Sequence, residues 1–200
     1  YLPEKVALRR ALNLASDTGK EIRLARKGQA IPAQSALMPN TFGYDPAYKS
    51  ENSEYSLAKA KALLDMFGYV DKDGDGWRDL PDGSPLVIEV ATQPDQQSRQ
   101  LDELYRKDLA NLGVKAAFKP AQWPENLKNA RAGKLMVWRV GLSAASPDGG
   151  PSFDRGYSGH LGGQNLSRFK NPEYDRIYTE MAMLPDGPER LELFAQAKKI

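Results

Sequence analysis

The chain has 200 residues, enough for one domain that buries a core without disulfides or structural metals. It has no cysteine and one histidine, which excludes disulfides, thiolate zinc sites, iron–sulfur clusters and cysteine nucleophiles. A net charge of +2 is too mild for nucleic-acid binding, and no apolar run approaches the roughly 18 residues of a membrane span. Because the sequence begins at Tyr1 and stops at Ile200 within a helical pattern, we expect a piece of a longer protein.

Helical periodicity dominates the first third of the chain. Apolar residues spaced by three and four predict a helix over residues 4–16, and a weaker helical pattern follows at residues 20–27. Residues 28–53 are rich in Pro, Asn, Gly and Tyr, so we expect an irregular segment there. Ser56 is a suitable N-cap for a further helix over residues 57–67.

Strand and helix patterns alternate in the middle of the chain. The β-branched run at residues 86–92 lies between two prolines and predicts a strand. The same reasoning gives the order strand, helix, strand, helix, strand over residues 86–92, 95–112, 114–118, 123–132 and 135–140. This alternation predicts the α/β fold class, with a largely parallel sheet and helical crossovers.

The last third combines a glycine-rich segment with two helices. Residues 141–168 are rich in glycine and serine, and a structureless segment of that length is usually functional or mobile. The first closing helix is capped by Asn171, and the second opens at residues 186–189.

The sharpest local motif is DKDGDGWRDLPD at residues 71–82. Its spacing matches a calcium loop with ligands at positions 1, 3, 5, 7, 9 and 12, supplied by the side chains of Asp71, Asp73, Asp75, Asp79 and Asp82 and by the carbonyl of Trp77. Position 12 carries Asp where Glu would reach further, and a turn and strand follow in place of a helix. The alternative is an Asp/Gly-rich turn with solvated carboxylates. No cofactor is required, and Ca²⁺ is the one possible ion.

No catalytic constellation is found in the sequence. His160 lies in the run YSGHLGG with Ser158 nearby, but there is no G-x-S-x-G elbow and no phosphate-binding glycine loop. We therefore predict that the chain is not an enzyme. The tryptophans, Trp77, Trp123 and Trp138, could stack on a ligand, but single aromatics in helices and strands are more often core residues.

The order of the motifs resembles one family along essentially the whole chain. The runs are KVALRRALNLASD, GQAIPAQSALMP, YSLAKAKALLDMFGY, DGDGWRDLPDGSPL, LANLGVKAAF, LMVWRVGLSAASPDGGPSF and NLSRFKNPEYDRIYTEMAMLPDGPERLELF. Together they resemble the periplasmic solute-binding proteins (family 5) of peptide- and nickel-type ABC importers. The resemblance implies that residues 1–200 form a single α/β lobe, the C-terminal lobe of a periplasmic-binding-protein fold of type II in its peptide-binding class.

The resemblance also implies a function. Such a protein closes two lobes on a peptide or other small solute and delivers it to an ABC permease at the inner membrane. We expect a periplasmic monomer that binds no nucleic acid. The alternatives left open are a calcium-braced structural or adhesion domain and, from the enzyme class, a hydrolase lobe.

The segment after the third strand is similar to the ligand loop of this family. In peptide binders the loop carries an Asp that pairs with the N-terminal ammonium of the peptide. Ala145 stands at that position, three residues before Asp148, so we expect the usual amine anchor to be absent. The candidate ligand-binding residues are Ser143, Ser146, Asp148, Tyr157 and His160.

Overall fold

The computed structural model describes residues 2–200, which divide into two compact units. Unit 1 comprises the residues up to Pro32, Lys49–Trp123 and Leu135–Arg139, and unit 2 comprises Ala33–Tyr48, Pro124–Lys134 and Val140–Ile200. The single lobe expected from the sequence stays a prediction.

The sheet of unit 1 has three parallel strands in the order β2-β1-β3. The strands are β1 (Val87–Thr92), β2 (Lys115–Pro120) and β3 (Val137–Trp138). Val87 of β1 pairs with Lys115 of β2, and Ala91 of β1 pairs with Trp138 of β3. The predicted parallel sheet is confirmed, but β3 is limited to two residues because only Val90 and Ala91 of β1 pair with it.

Helices cover the core face of this sheet. They are α1 (Pro3–Leu14), α3 (Leu57–Met66) and α4 (Gln96–Leu112), whereas the short helix α2 (Thr18–Leu24) has no buried residue. The predicted cap is confirmed, since the Ser56 hydroxyl accepts a hydrogen bond from the amide of Lys59 at 3.3 Å. Ile88 and Val90 alternate with exposed residues along β1 and pack into the core beside Leu64 and Leu109. Burying each such side chain stabilises the unit by about 1.5–3 kcal/mol.

Unit 2 is built around two C-terminal helices. Helix α5 (Trp123–Arg131) begins at the last residue of unit 1, and α6 (Pro172–Met183) and α7 (Pro188–Ala197) lie wholly in unit 2. The Asn171 side chain caps α6 as predicted, accepting hydrogen bonds from the next helical amides at 2.9 and 3.2 Å. The core of unit 2 contains Leu37, Phe153, Tyr174, Ile177, Met181, Phe194 and Ala197.

Part of the glycine-rich segment is more ordered than the sequence predicts. Short 3-10 helices form at Gly150–Arg155 and Ser158–His160. The buried side chain of Asn165 fixes the turn that follows, donating hydrogen bonds to the carbonyls of Tyr157 and Phe169 at 3.1 and 2.8 Å. Among residues 2–200, no helix combines the length and the apolar character needed to cross a membrane.

Candidate functional site

The carboxyl end of the sheet in unit 1 collects aromatic and charged side chains. In an open parallel sheet, ligands bind at the carboxyl ends of the strands where the strand order reverses. The order β2-β1-β3 puts that reversal between β1 and β3. Thr92 ends β1, Trp138 ends β3, and Trp123 begins the helix that follows β2. We call Thr92, Asp102, Trp123, Trp138 and Arg139 the edge cluster.

The two tryptophans of the edge cluster form an accessible aromatic surface. Their ring centroids lie 5.0 Å apart with the planes tilted by 44°. Trp123 is 42% exposed and Trp138 is half-buried, so the prediction that these residues belong to the core is wrong. Trp77 is also half-buried. A pattern of residue types does not reveal which strand ends meet at the sheet reversal, which is why these side chains were missed.

The edge cluster also offers charges of both signs. One guanidinium nitrogen of Arg139 lies 3.6 Å from a carboxylate oxygen of Glu21, and the Arg139 side chain is 43% exposed. The Thr92 hydroxyl donates a hydrogen bond of 2.6 Å to Asp102. Burial raises the pKa of Asp102. The cluster is suited to a ligand that carries an apolar or aromatic group beside a charged one.

The candidate ligand residues of unit 2 fall into two sets. Ser143 and Ser146 are exposed on the loop. Asp148 instead accepts two hydrogen bonds from Arg190, at 2.8 and 3.1 Å, and a third from the amide of Gly150 at 2.8 Å. The bonds from Arg190 lower the pKa of Asp148. Asp148 therefore helps to hold unit 2 together, and its contact with a ligand stays a prediction.

Tyr157 and His160 lie together in an aromatic group. Tyr157 stacks on Tyr178 with ring centroids 4.4 Å apart, and His160 meets Tyr157 edge-on at 5.1 Å. The Nδ1 atom of His160 is buried and has no hydrogen-bond partner among the described residues. Ser158 donates its hydroxyl proton to Asp175 and not to His160, so the two do not form a nucleophile–base pair. Ligand binding by Tyr157 and His160 stays a prediction.

The acidic loop over residues 71–82 gathers part of the predicted calcium ligands. Carboxylate oxygens of Asp71, Asp73 and Asp79 lie within 4.8 Å of one another. Asp75 instead accepts a hydrogen bond of 2.7 Å from Lys115, which lowers its pKa. Asp82 accepts bonds from the hydroxyl and amide of Ser84, at 2.6 and 2.9 Å, and these lower its pKa.

The set of six predicted ligands, which included the Trp77 carbonyl, is therefore reduced here to three clustered carboxylates. Asp71 accepts hydrogen bonds from the amides of Gly74 and Gly76 at 2.7 and 2.9 Å, so its oxygens already have backbone partners. Calcium binding stays a prediction.

Comparison with known proteins gives a family match over most of the chain. Residues 3–163 match the model of the bacterial extracellular solute-binding proteins, family 5, middle region. A haem-binding protein A from Haemophilus influenzae is 29% identical over 98% of this chain and 34% of its own length. A di/tripeptide-binding protein 1 from Pseudomonas aeruginosa is 24% identical over 98% of this chain and 35% of its own length.

A solved structure shows the same fold. The oligopeptide-binding protein AppA from Bacillus subtilis, in complex with a nonapeptide, superimposes with a TM-score of 0.86 at 21% identity, over 96% of this chain and 38% of that one. This likeness confirms the fold class expected from the sequence. The chain spans about a third of the length of the curated relatives it matches.

Proposed function

Because the chain belongs to the bacterial extracellular solute-binding proteins of family 5, we propose that it is part of the substrate-binding component of an ABC importer. In this role the parent protein captures a peptide or another small solute in the periplasm and delivers it to a permease at the inner membrane. It acts as a monomer, without nucleic acid and without catalysis.

The observation that carries the proposal is the edge cluster. A solvent-accessible pair of tryptophans at the reversal of a parallel sheet, with Arg139 directly after Trp138 in the chain, supports a binding surface rather than a core. The guanidinium of Arg139 can bind a carboxylate, because it is partly exposed and its ion pair with Glu21 is long, at 3.6 Å. Exposed aromatic rings supply contact area for apolar groups at little entropic cost.

We propose a cargo that joins an apolar or aromatic group to a carboxylate. Two curated relatives are named for haem and for di- and tripeptides, and both kinds of molecule meet this description. With Ala145 on the loop there is no carboxylate at that position for a peptide amine. Met-Leu and N-acetyl-Met-Leu should therefore bind the full-length parent protein with the same affinity, as measured by calorimetry. A loss of tenfold or more on acetylation would show that another group anchors the amine.

The proposal is tested on the full-length protein with defined probes. Native mass spectrometry of the purified protein should show a bound small solute, and calorimetry should show binding of Met-Leu or of haem. Trp123→Ala should weaken that binding by about thirtyfold, since buried tryptophans at binding sites contribute about 2 kcal/mol or more. Trp77→Ala is the matched control, and it should leave the affinity unchanged. Equal losses in both variants, or no solute and no probe bound by the wild type, would refute the proposal.

A hydrolase lobe has no supporting geometry, because the Ser158 hydroxyl is bound to Asp175 and Nδ1 of His160 has no partner in the described part of the chain. A calcium-braced domain rests on the acidic loop alone, and calcium would brace the binding protein equally well. The edge cluster therefore favours binding of a small solute over either alternative.

A further inference from the structure

A buried arginine in unit 2 lies at the end of the ligand loop. Arg190 of α7 is 8% exposed. Its Nη1 and Nη2 atoms donate to the two carboxylate oxygens of Asp148, at 2.8 and 3.1 Å. Nη1 also donates to Asp186 at 2.6 Å, and Nε donates to the carbonyl of Met181 at 3.0 Å. We call Arg190, Asp148 and Asp186 the arginine clamp.

The clamp is rigid for two physical reasons. A bidentate pair of hydrogen bonds between guanidinium and carboxylate fixes both the distance and the relative orientation of the two groups. A single charge contact fixes only the distance. The guanidinium also lies between two aromatic rings, 5.7 Å from the centroid of Phe42 and 5.1 Å from that of Phe194. Its other acidic partner, Asp186, lies four residues earlier on the approach to the same helix, so this ion pair stays within residues 186–190 and does not involve the loop.

The backbone around Asp148 is packed as tightly as its side chain. The amide of Phe42 donates a hydrogen bond of 2.7 Å to the carbonyl of Pro147. A Cβ atom on Gly149 would lie 2.1 Å from the carbonyl oxygen of Phe42, and one on Gly150 would lie 2.5 Å from Nη2 of Arg190. Residues 147–150 are therefore held on both sides, while residues 141–147 are exposed.

We propose that Arg190 is a positioning residue, which holds the loop of residues 141–147 in its binding conformation through Asp148. This inference rests on the proposed function, because the loop is taken to meet the cargo. A loop that is ordered in advance loses less conformational entropy when the cargo binds. Arg190 contributes to affinity in this way although four of its five N–H donors are bound to the protein itself.

Two matched variants separate positioning from general stability. Asp148→Asn and Asp186→Asn each remove one acidic partner of Arg190, but only Asp148 is joined directly to the loop of residues 141–147. In hydrogen–deuterium exchange on the full-length protein without ligand, Asp148→Asn should speed exchange of the amides of Phe42 and Gly150, which donate to the carbonyl of Pro147 and to Asp148, by about tenfold, the factor expected for losing one charged hydrogen bond. Asp186→Asn should leave that exchange unchanged. Unchanged exchange in both variants, or an equal rise in both, would overturn the proposal.

The consequence for cargo is measured separately. Asp148→Asn should weaken binding of the probe, Met-Leu or haem, by about tenfold, and Asp186→Asn should not. Faster exchange with unchanged affinity would overturn the positioning role. A wild type that binds neither probe would contradict the proposed function, while the exchange result would still decide whether Arg190 holds the loop. If Asp148→Asn does not fold, Arg190→Lys provides the same test, because lysine keeps the positive charge but cannot form the bidentate hydrogen bonds of a guanidinium.

Discussion

The edge cluster of unit 1 and the arginine clamp of unit 2 each contain an arginine that pairs with an acidic side chain, but the two arginines differ in how completely they are paired. Arg139 is 43% exposed and reaches Glu21 at 3.6 Å. The Arg190 side chain is 9% exposed and donates hydrogen bonds at 2.6–3.1 Å to its acidic partners and to a carbonyl.

The difference in pairing distinguishes an arginine that is available to a ligand from one that stabilises the protein's own structure. A guanidinium whose donors are used by the protein has none left for a ligand, but it fixes whatever it touches. A guanidinium with one long contact is available to a carboxylate from outside. The same contrast explains why Asp148, one of the residues predicted to bind the ligand, is paired with Arg190 in this fold.

The largest expected effect is on stability. Arg190→Met should lower the free energy of unfolding by about 3 kcal/mol, because it leaves Asp148 and Asp186 without their shared partner in a partly buried site. Arg139→Met should lower it by less than about 1 kcal/mol, the usual range for an exposed ion pair. Urea denaturation of the full-length variants measures both. Similar losses in the two variants would remove the distinction between the regions.

The next largest effect is on affinity. Here a variant of the edge cluster should lose more than a variant of the arginine clamp. Arg139→Met should weaken binding of Met-Leu by about tenfold, since a charge-assisted hydrogen bond is lost while the fold remains. Asp186→Asn, which changes only the arginine clamp, should leave the affinity for Met-Leu within a factor of two of the wild-type value. Calorimetry at one salt concentration gives the comparison. If Asp186→Asn is the more damaging of the two, Arg139 does not contact the cargo.

Acid should act on the two regions in opposite directions. The pKa of Asp148 is lowered by Arg190, so its contribution to stability is present above the ordinary aspartate value of about 3.9 and is lost as the pH falls below it. The pKa of Asp102 is raised by burial, so its contribution is present below about 3.9 and is lost as the pH rises through the raised value.

The two contributions can be separated with isosteric variants. Relative to wild type, Asp148→Asn should lose less stability between pH 7 and about pH 3, and Asp102→Asn should lose more. The midpoints of urea denaturation, measured between pH 7 and about pH 3, show whether each variant loses less or more stability than the wild type. Parallel curves for the three proteins would show that neither carboxyl couples to folding.

Local patterns predicted most of the fold but little of the site. Helix α4 and strand β1 follow from periodicity and from flanking turn residues, which act within a few positions of the chain. Asp148 and Arg190 are 42 residues apart, and nothing local marks them as partners. Trp123 and Trp138 were assigned to the core because exposure at the carboxyl edge depends on strand order, which a single sequence does not state.

The acidic loop of unit 1 is paired more completely than Arg139 and less completely than Arg190. Its response to calcium is the smallest effect expected. Asp75 is paired with Lys115, but the cluster of Asp71, Asp73 and Asp79 has no cationic side chain bound to it in the described residues. If three carboxylates suffice for weak binding, about 5 mM calcium should raise the melting temperature by about 2 °C over chelator.

Competition by Lys115 sharpens this last test. Lys115→Met frees the carboxylate of Asp75, so the rise with calcium should increase in that variant, while Asp71→Asn should abolish it. Calcium would then bind carboxylates that the protein leaves incompletely paired, just as we propose that a cargo carboxylate binds the incompletely paired Arg139. Superimposable melting curves in calcium and chelator, for both wild type and Lys115→Met, would show that the loop is an Asp/Gly turn held by its own backbone amides.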